Sequence, residues 1–124
     1  MARRQLAISL NGSTFKILYI YYCAYLMDKS IGMENFGGLG MSNFYGRGSP
    51  VEIGWNALNK AFKYLRSKGL ITRAFYWGKY TISERGIQVL YETLLKRQEL
   101  GLTYEIDGIC LVADPDTKKI IVKE

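Results

Sequence analysis

Residues 14–28 read as a helix that is apolar on nearly every side, with Leu18, Tyr19, Tyr21, Tyr22, Tyr25 and Leu26 leaving no wide polar face. Such a helix has to be enclosed, either by the rest of its own domain or by a second subunit, and a homodimer is therefore an expectation from the outset. The apolar run itself, Ile17 to Met27, is shorter than the roughly 20 residues needed to cross a bilayer, so it reads as a core helix and no membrane partner is expected. Arg3 and Arg4 precede it as in an export signal, but Asn11, Gly12, Ser13 and Lys16 interrupt the approach and no small-residue cleavage site follows Met27. This favours the cytoplasm. A chain of 124 residues, 48% hydrophobic and 14% aromatic, has enough material for one packed core around that helix.

The chain contains no histidine, which removes Ser-His-Asp and Cys-His catalysis and imidazole metal sites. Cys23 and Cys110 stand far apart, form no CxxC pair and read as buried thiols, so neither a metal nor any other cofactor is expected. No phosphate-loop motif occurs, and Gly38-Leu39-Gly40 lacks the third glycine of a dinucleotide fingerprint. Asp114 and Asp116 flank Pro115 in what reads as a turn, not as a catalytic carboxylate pair. The chain is not expected to be an enzyme.

Charge is segregated. From Arg47 to Arg85 there are eight basic residues (Arg47, Lys60, Lys63, Arg66, Lys68, Arg73, Lys79, Arg85) against Glu52 and Glu84, a net of +6 that equals the whole chain's excess. The remaining nine basic and nine acidic residues cancel. A basic segment of this kind is either a solvated face or the footprint of a nucleic acid, and the local fold has to decide.

Turn and cap residues divide the chain cleanly. Alternation over residues 6–10 predicts a short strand ending at Asn11-Gly12, after which Ser13 caps the first helix. Glycines through residues 32–48 disfavour a long helix there and leave a short helix over 31–36 and a connection. Ser49-Pro50-Val51-Glu52 is a capping box with proline at the first helical position, which predicts a helix over 50–68 stopped by Gly69. Its apolar stripe is Val51, Trp55, Leu58, Phe62 and Leu65, with Trp55 expected in the core. A hairpin over 70–82 turns at Trp77-Gly78, and Ser83 caps a helix running to about Leu100 with Gly101 as its stop. Beyond it lie strand-like segments over 102–106, 109–113 and 118–123, with turns at Asp107-Gly108 and Pro115-Asp116.

A capped helix, a Gly-stopped turn, a short hairpin and another capped helix thus follow one another, and the basic excess lies within them. The residues Ala57-Leu58-Asn59-Lys60-Ala61-Phe62-Lys63-Tyr64-Leu65-Arg66-Ser67-Lys68-Gly69-Leu70-Ile71, followed by Gly78-Lys79-Tyr80-Thr81-Ile82-Ser83-Glu84-Arg85-Gly86, resemble the winged helix-turn-helix DNA-binding family, especially regulators of the MarR and PadR type. The chain also looks similar to small, tyrosine-rich winged-helix proteins of archaeal plasmids and viruses. The resemblance implies an α+β fold: a winged helix-turn-helix over residues 1–100 with an additional C-terminal helix, and short C-terminal β-strands over 101–124 packed on the same domain. It departs from the family where the helix before the recognition helix should be regular, since that stretch is glycine-rich. A recognition helix starting at Pro50 would also be about 28 Å long, more than the family needs.

By that resemblance Asn56, Asn59 and Lys60 read base edges of double-stranded DNA, while Arg47, Lys63, Arg66, Arg73, Trp77 and Lys79 serve phosphates and the wing. Dimerisation is expected through Tyr22 and Leu26 of the first helix and Leu90, Tyr91, Leu94 and Leu95 of the last. The implied function is a homodimeric transcriptional regulator. The alternatives are a plasmid-partition or DNA-organising adaptor, and a protein-docking module using the C-terminal strands as an edge for a protein partner.

Overall fold

The computed structural model describes residues 10, 12–32, 38–44, 53–75 and 78–123. Over these residues the protein is a mixed α+β structure of three helices and two small antiparallel sheets. Helix α1 (Gly12–Ser30) occupies the centre, against α2 (Trp55–Ser67), α3 (Glu84–Glu99) and the hairpin of β1 (Ile71–Arg73) with β2 (Tyr80–Ile82). Strands β3 (Cys110–Asp114) and β4 (Lys119–Lys123) form a second hairpin on α3. No helix among the described residues is long and apolar enough to cross a membrane.

The N-terminal half of α1 is enclosed by its own chain, whereas Cys23, Tyr25 and Leu26 further along are half-buried and Met27 is 66% exposed. Phe15, Ile17, Leu18, Tyr19, Tyr21 and Tyr22 are all buried, and the hydroxyls of Tyr19 and Tyr21 find polar partners on the way in. Tyr19 accepts a hydrogen bond from Leu111 N–H at 2.7 Å and donates toward the carbonyls of Ile109 at 2.9 Å and Tyr104 at 3.0 Å. Burial pushes its hydroxyl pKa up to about 12. Tyr21 donates to the Leu39 carbonyl at 2.7 Å, and its pKa too is raised, first by burial and then by Tyr80. The helix begins at Gly12, so Ser13 lies within it and is not its cap.

The sequence places dimer contacts on the same side chains that the core uses. Tyr22, Leu90, Tyr91 and Leu94 are buried within the single chain, and Leu26 and Leu95 are half-buried against the same core. Within the chain α1 and α3 pack on one another and on the two hairpins, which buries Tyr22, Leu90, Tyr91 and Leu94 and leaves Leu26 and Leu95 partly exposed.

Both glycine stops work as read. At the end of α2, Leu70 N–H reaches back to the Leu65 carbonyl at 2.9 Å and Gly69 N–H to Arg66 at 3.1 Å, with Gly69 at φ +72°. Leu102, Arg97, Gly101 and Gln98 repeat the arrangement after α3. This is the Schellman geometry, which requires the left-handed residue that glycine supplies. The start of α2 differs from expectation: Ile53 and Gly54 are not helical, and Gly54 stands at the N-cap with no side-chain hydrogen bond. The capping box at 49–52 lies outside the described residues. A 13-residue helix is marginal alone, and packing holds this one. Burial of Leu58, Phe62 and Leu65 at about 1.5–3 kcal/mol each outweighs the roughly 1 kcal/mol that a missing cap costs.

Two motifs separated in sequence meet at one junction. Ser83 caps α3 by accepting from Gly86 N–H at 2.9 Å, and its hydroxyl donates to the Gly69 carbonyl at 2.6 Å while its N–H donates to Leu70 at 3.0 Å. Gly86 is packed so closely on the Leu70 carbonyl that a Cβ there would overlap it. Gly69-Leu70-Ile71 and Ser83-Glu84-Arg85-Gly86 therefore lock the end of α2, the base of the hairpin and the start of α3 together.

Of the three strand-like segments read over 102–123, the last two form a hairpin and residues 102–106 add no strand to it. The Asp107-Gly108 turn forms, with φ of 51° and 79°, but it joins only an isolated bridge between Ile106 and Ile109. Tyr104 is drawn instead onto the rings of Phe15 and Tyr19, which takes residues 102–105 away from any strand. The predicted strand over 6–10 and most of the short helix over 31–36 fall outside the described residues; Leu10 itself is not in a strand, and Ile31 and Gly32 form a turn. Cys23 and Cys110 are free and half-buried, the Cys23 thiol being pushed up to about 11 by burial and by the charge of Asp107.

Candidate nucleic-acid interface

Helix α2 buries Leu58, Ala61, Phe62 and Leu65, and that choice of face dictates the opposite one. Asn56, Asn59, Lys60, Lys63 and Arg66 recur at three- and four-residue steps, are all exposed, and together line one open depression. From Asn56 to Arg66 the stripe runs about 15 Å along the helix axis. Lys60 also borders a second depression, shared with Ser13 and Thr14 at the start of α1 and with Tyr64. No acidic side chain lines either depression among the described residues.

At its C-terminal end the stripe continues onto the hairpin through Tyr80. Arg66 Nη1 lies 3.4 Å from the Tyr80 hydroxyl and its guanidinium carbon 5.8 Å from the ring centroid. The Tyr80 ring packs edge-on to Phe62, with centroids 6.3 Å apart, so the core of α2 and its basic face hold the same tyrosine from two sides. Arg73 stands directly opposite Tyr80 in the ladder and shares its face of the hairpin. Ile71 and Ile82, two residues further in on that face, are buried and anchor it to the core.

The hairpin is held from its other edge as well. Leu39 and Tyr80 exchange both backbone hydrogen bonds, at 2.9 and 2.8 Å, and the Leu39 carbonyl also accepts from Tyr21 of α1. The glycines on either side make that approach possible. A Cβ at Gly38, which has φ +102°, would lie 2.5 Å from the Tyr80 carbonyl oxygen, and one at Gly40 would lie 2.7 Å from that of Gly78. Gly38 and Gly40 thus serve close backbone contact with the hairpin.

The described residues bring together Asn56, Asn59, Lys60, Lys63, Arg66 and Arg73 on α2 and the hairpin. Lys79 differs from expectation: it is half-buried, with its ammonium 3.4 Å from Asn43 Oδ1, which also accepts from Gly40 N–H at 2.8 Å. The pairing of Leu39 with Tyr80 brings Asn43 within reach of Lys79. Trp55 is also corrected: it is 48% exposed, not core, because α2 starts at this residue and places it at the helix end. Arg47 and Trp77 lie outside the described residues. The sequence reading placed Tyr80 in the returning strand of the wing but gave no role near the cationic groups to Tyr80, Leu39 or Asn43.

No protein-family model, curated protein or solved structure matches this chain. The two carboxamides each offer a donor and an acceptor, Lys60 and Lys63 are freely rotating cations, and Arg66 and Arg73 are planar donors. Such a face suits a polyanion that also presents hydrogen-bonding edges.

Proposed function

We propose that the protein is a sequence-specific double-stranded DNA-binding protein of the winged helix-turn-helix kind, a transcriptional regulator that places α2 in the major groove and the β1–β2 hairpin along the backbone. One observation carries the reading: five exposed amide and basic side chains form a single stripe on α2 and continue through Arg66 and Tyr80 to Arg73 on the hairpin. The major groove, about 12 Å wide, admits a helix, and asparagine and lysine are suited to adenine and guanine edges there. Asn56, Asn59 and Lys60 take the base-reading role, while Lys63, Arg66 and Arg73 neutralise phosphates and release counterions. At 13 residues α2 is about 20 Å long, which removes the length mismatch implied by a start at Pro50. A protein-docking use of the same face has less support, because such interfaces are depleted in lysine at their centres. Dimerisation through α1 and α3 is not part of this reading, because Tyr22, Leu90, Tyr91 and Leu94 are buried in the chain's own core.

Selection of duplexes from a random pool by the full chain, followed by anisotropy titrations, tests it. Asn59→Ala is expected to cost about 1–3 kcal/mol on the selected duplex and little on random DNA. Lys63→Ala should weaken both and lower the magnitude of the salt slope by about 0.9 for each phosphate it no longer neutralises. If no duplex is enriched and both folded variants bind DNA as the parent does, the proposal fails.

A further inference from the structure

The C-terminal hairpin has two edges, and the chain closes one of them with side chains. On β3, Leu111 N–H donates to the Tyr19 hydroxyl at 2.7 Å, Ala113 N–H to Gln98 Oε1 at 2.6 Å, and Gln98 Nε2 donates to the Ala113 carbonyl at 3.1 Å. These groups point away from β4. In an antiparallel pair the residues alternate between bonding across and facing outward, so Cys110, Val112 and Asp114 bond to β4 and Leu111 and Ala113 do not. Their ladder partners, Val122 and Ile120, must aim their own N–H and C=O groups outward too.

At that outer edge β4 has no strand partner among the described residues. Ile121 and Val122 are 46% and 45% exposed beside it, and Lys118, Lys119 and Lys123 are exposed around them. A second copy of this chain is a poor occupant in the register centred on Ile121. The antiparallel register that pairs Ile120 with the other copy's Val122 also sets each Lys119 against the other's Lys123, and like charges directly opposite destabilise a ladder. The same lysines attract a strand that carries carboxylates.

We propose that the outer edge of β4 is a docking site for an extended acidic segment of a partner protein, which adds as a third strand. Its backbone would bond to Ile120 and Val122. Because Lys119, Ile121 and Lys123 share one face, the complementary segment carries acidic, apolar and acidic side chains at alternate positions on that face. The inference does not rest on the nucleic-acid reading of α2.

The experiment titrates the full chain into a labelled, end-capped peptide containing Glu-Thr-Val-Thr-Glu and follows anisotropy at several salt concentrations. Saturable binding that weakens with salt is expected, and a Lys-Thr-Val-Thr-Lys peptide should bind at least about tenfold more weakly. Val122→Pro removes one outward N–H without touching the bonds to β3, a place where an edge strand tolerates proline, and should abolish binding. Since that variant can disturb the hairpin, Lys119→Glu combined with Lys123→Glu provides the second arm: it should reverse the preference between the two peptides. Absence of saturable binding by the parent, or an unchanged preference in the charge-reversed variant, overturns the proposal. A concentration-dependent dimer that Val122→Pro dissolves also overturns it, because the edge then belongs to a second copy. Loss of duplex binding in the charge-reversed variant, with no effect on the peptide, would assign the edge to nucleic acid and overturn it likewise.

Discussion

Replacing Gly86 by alanine sets two opposed effects against each other at the junction of α2, the hairpin and α3. In an ordinary helix position the change stabilises by about 1 kcal/mol, since alanine loses less backbone entropy. Here the added Cβ would overlap the Leu70 carbonyl oxygen and lie 2.8 Å from Ile82 Cγ1 and 3.0 Å from the Leu70 carbonyl carbon. Most of these atoms are backbone, and that same carbonyl accepts the Ser83 N–H bond at 3.0 Å, so the clash cannot be relieved by turning a side chain. Overpacking of this kind costs about 1–3 kcal/mol, and weakening the Ser83 bond adds about 1–3 kcal/mol more. The overlap wins, and Gly86→Ala should destabilise the protein by about 1–5 kcal/mol after the helix gain is subtracted. Urea unfolding followed by far-ultraviolet circular dichroism measures it. Gly12→Ala is the control, because nothing lies within 4 Å of a Cβ there; at the first residue of α1 it should be neutral to about 1 kcal/mol stabilising. A Gly86→Ala variant as stable as the parent would refute the close packing of the junction.

Two further outcomes follow from the burial of the central helix and α3. Leu90 is fully buried in its own chain, so Leu90→Ala should cost about 2–5 kcal/mol with no dependence on protein concentration; a destabilisation that shrinks as concentration rises would restore a dimer interface there. The Tyr19 pKa lies above its ordinary value of 10.0, at about 12, so the unfolded chain ionises first: the stability due to this group is intact below pH 10.0 and falls as pH rises toward about 12. Tyr19→Phe should flatten part of the alkaline decline in urea midpoints, while costing about 1–3 kcal/mol at neutral pH by leaving Leu111 N–H without its acceptor. Identical alkaline slopes in parent and variant would refute it.

Legible in the sequence alone is the local punctuation: the helix stops at Gly69 and Gly101, the Ser83 cap and the Asp107-Gly108 turn. Each of these is made by hydrogen bonds between residues five or fewer positions apart and by the backbone freedom of one or two residues, so neighbouring side chains are enough to specify it. The polar stripe on α2 was legible for the same reason, since helical periodicity alone puts Asn56, Asn59, Lys60, Lys63 and Arg66 on one face. Long-range packing, by contrast, settles which apolar side chains are core and which cations are anchored. Tyr19 and Tyr21 are satisfied by carbonyls 90 and 18 residues away, Lys79 is drawn to Asn43 36 residues back, and Arg66 is held by Tyr80 14 residues on. The same limit hid the fate of Leu90, Tyr91 and Leu94: a pattern of apolar residues specifies that a face must be covered, but which surface covers it depends on how distant segments pack, and here the cover is the chain's own central helix and C-terminal hairpin.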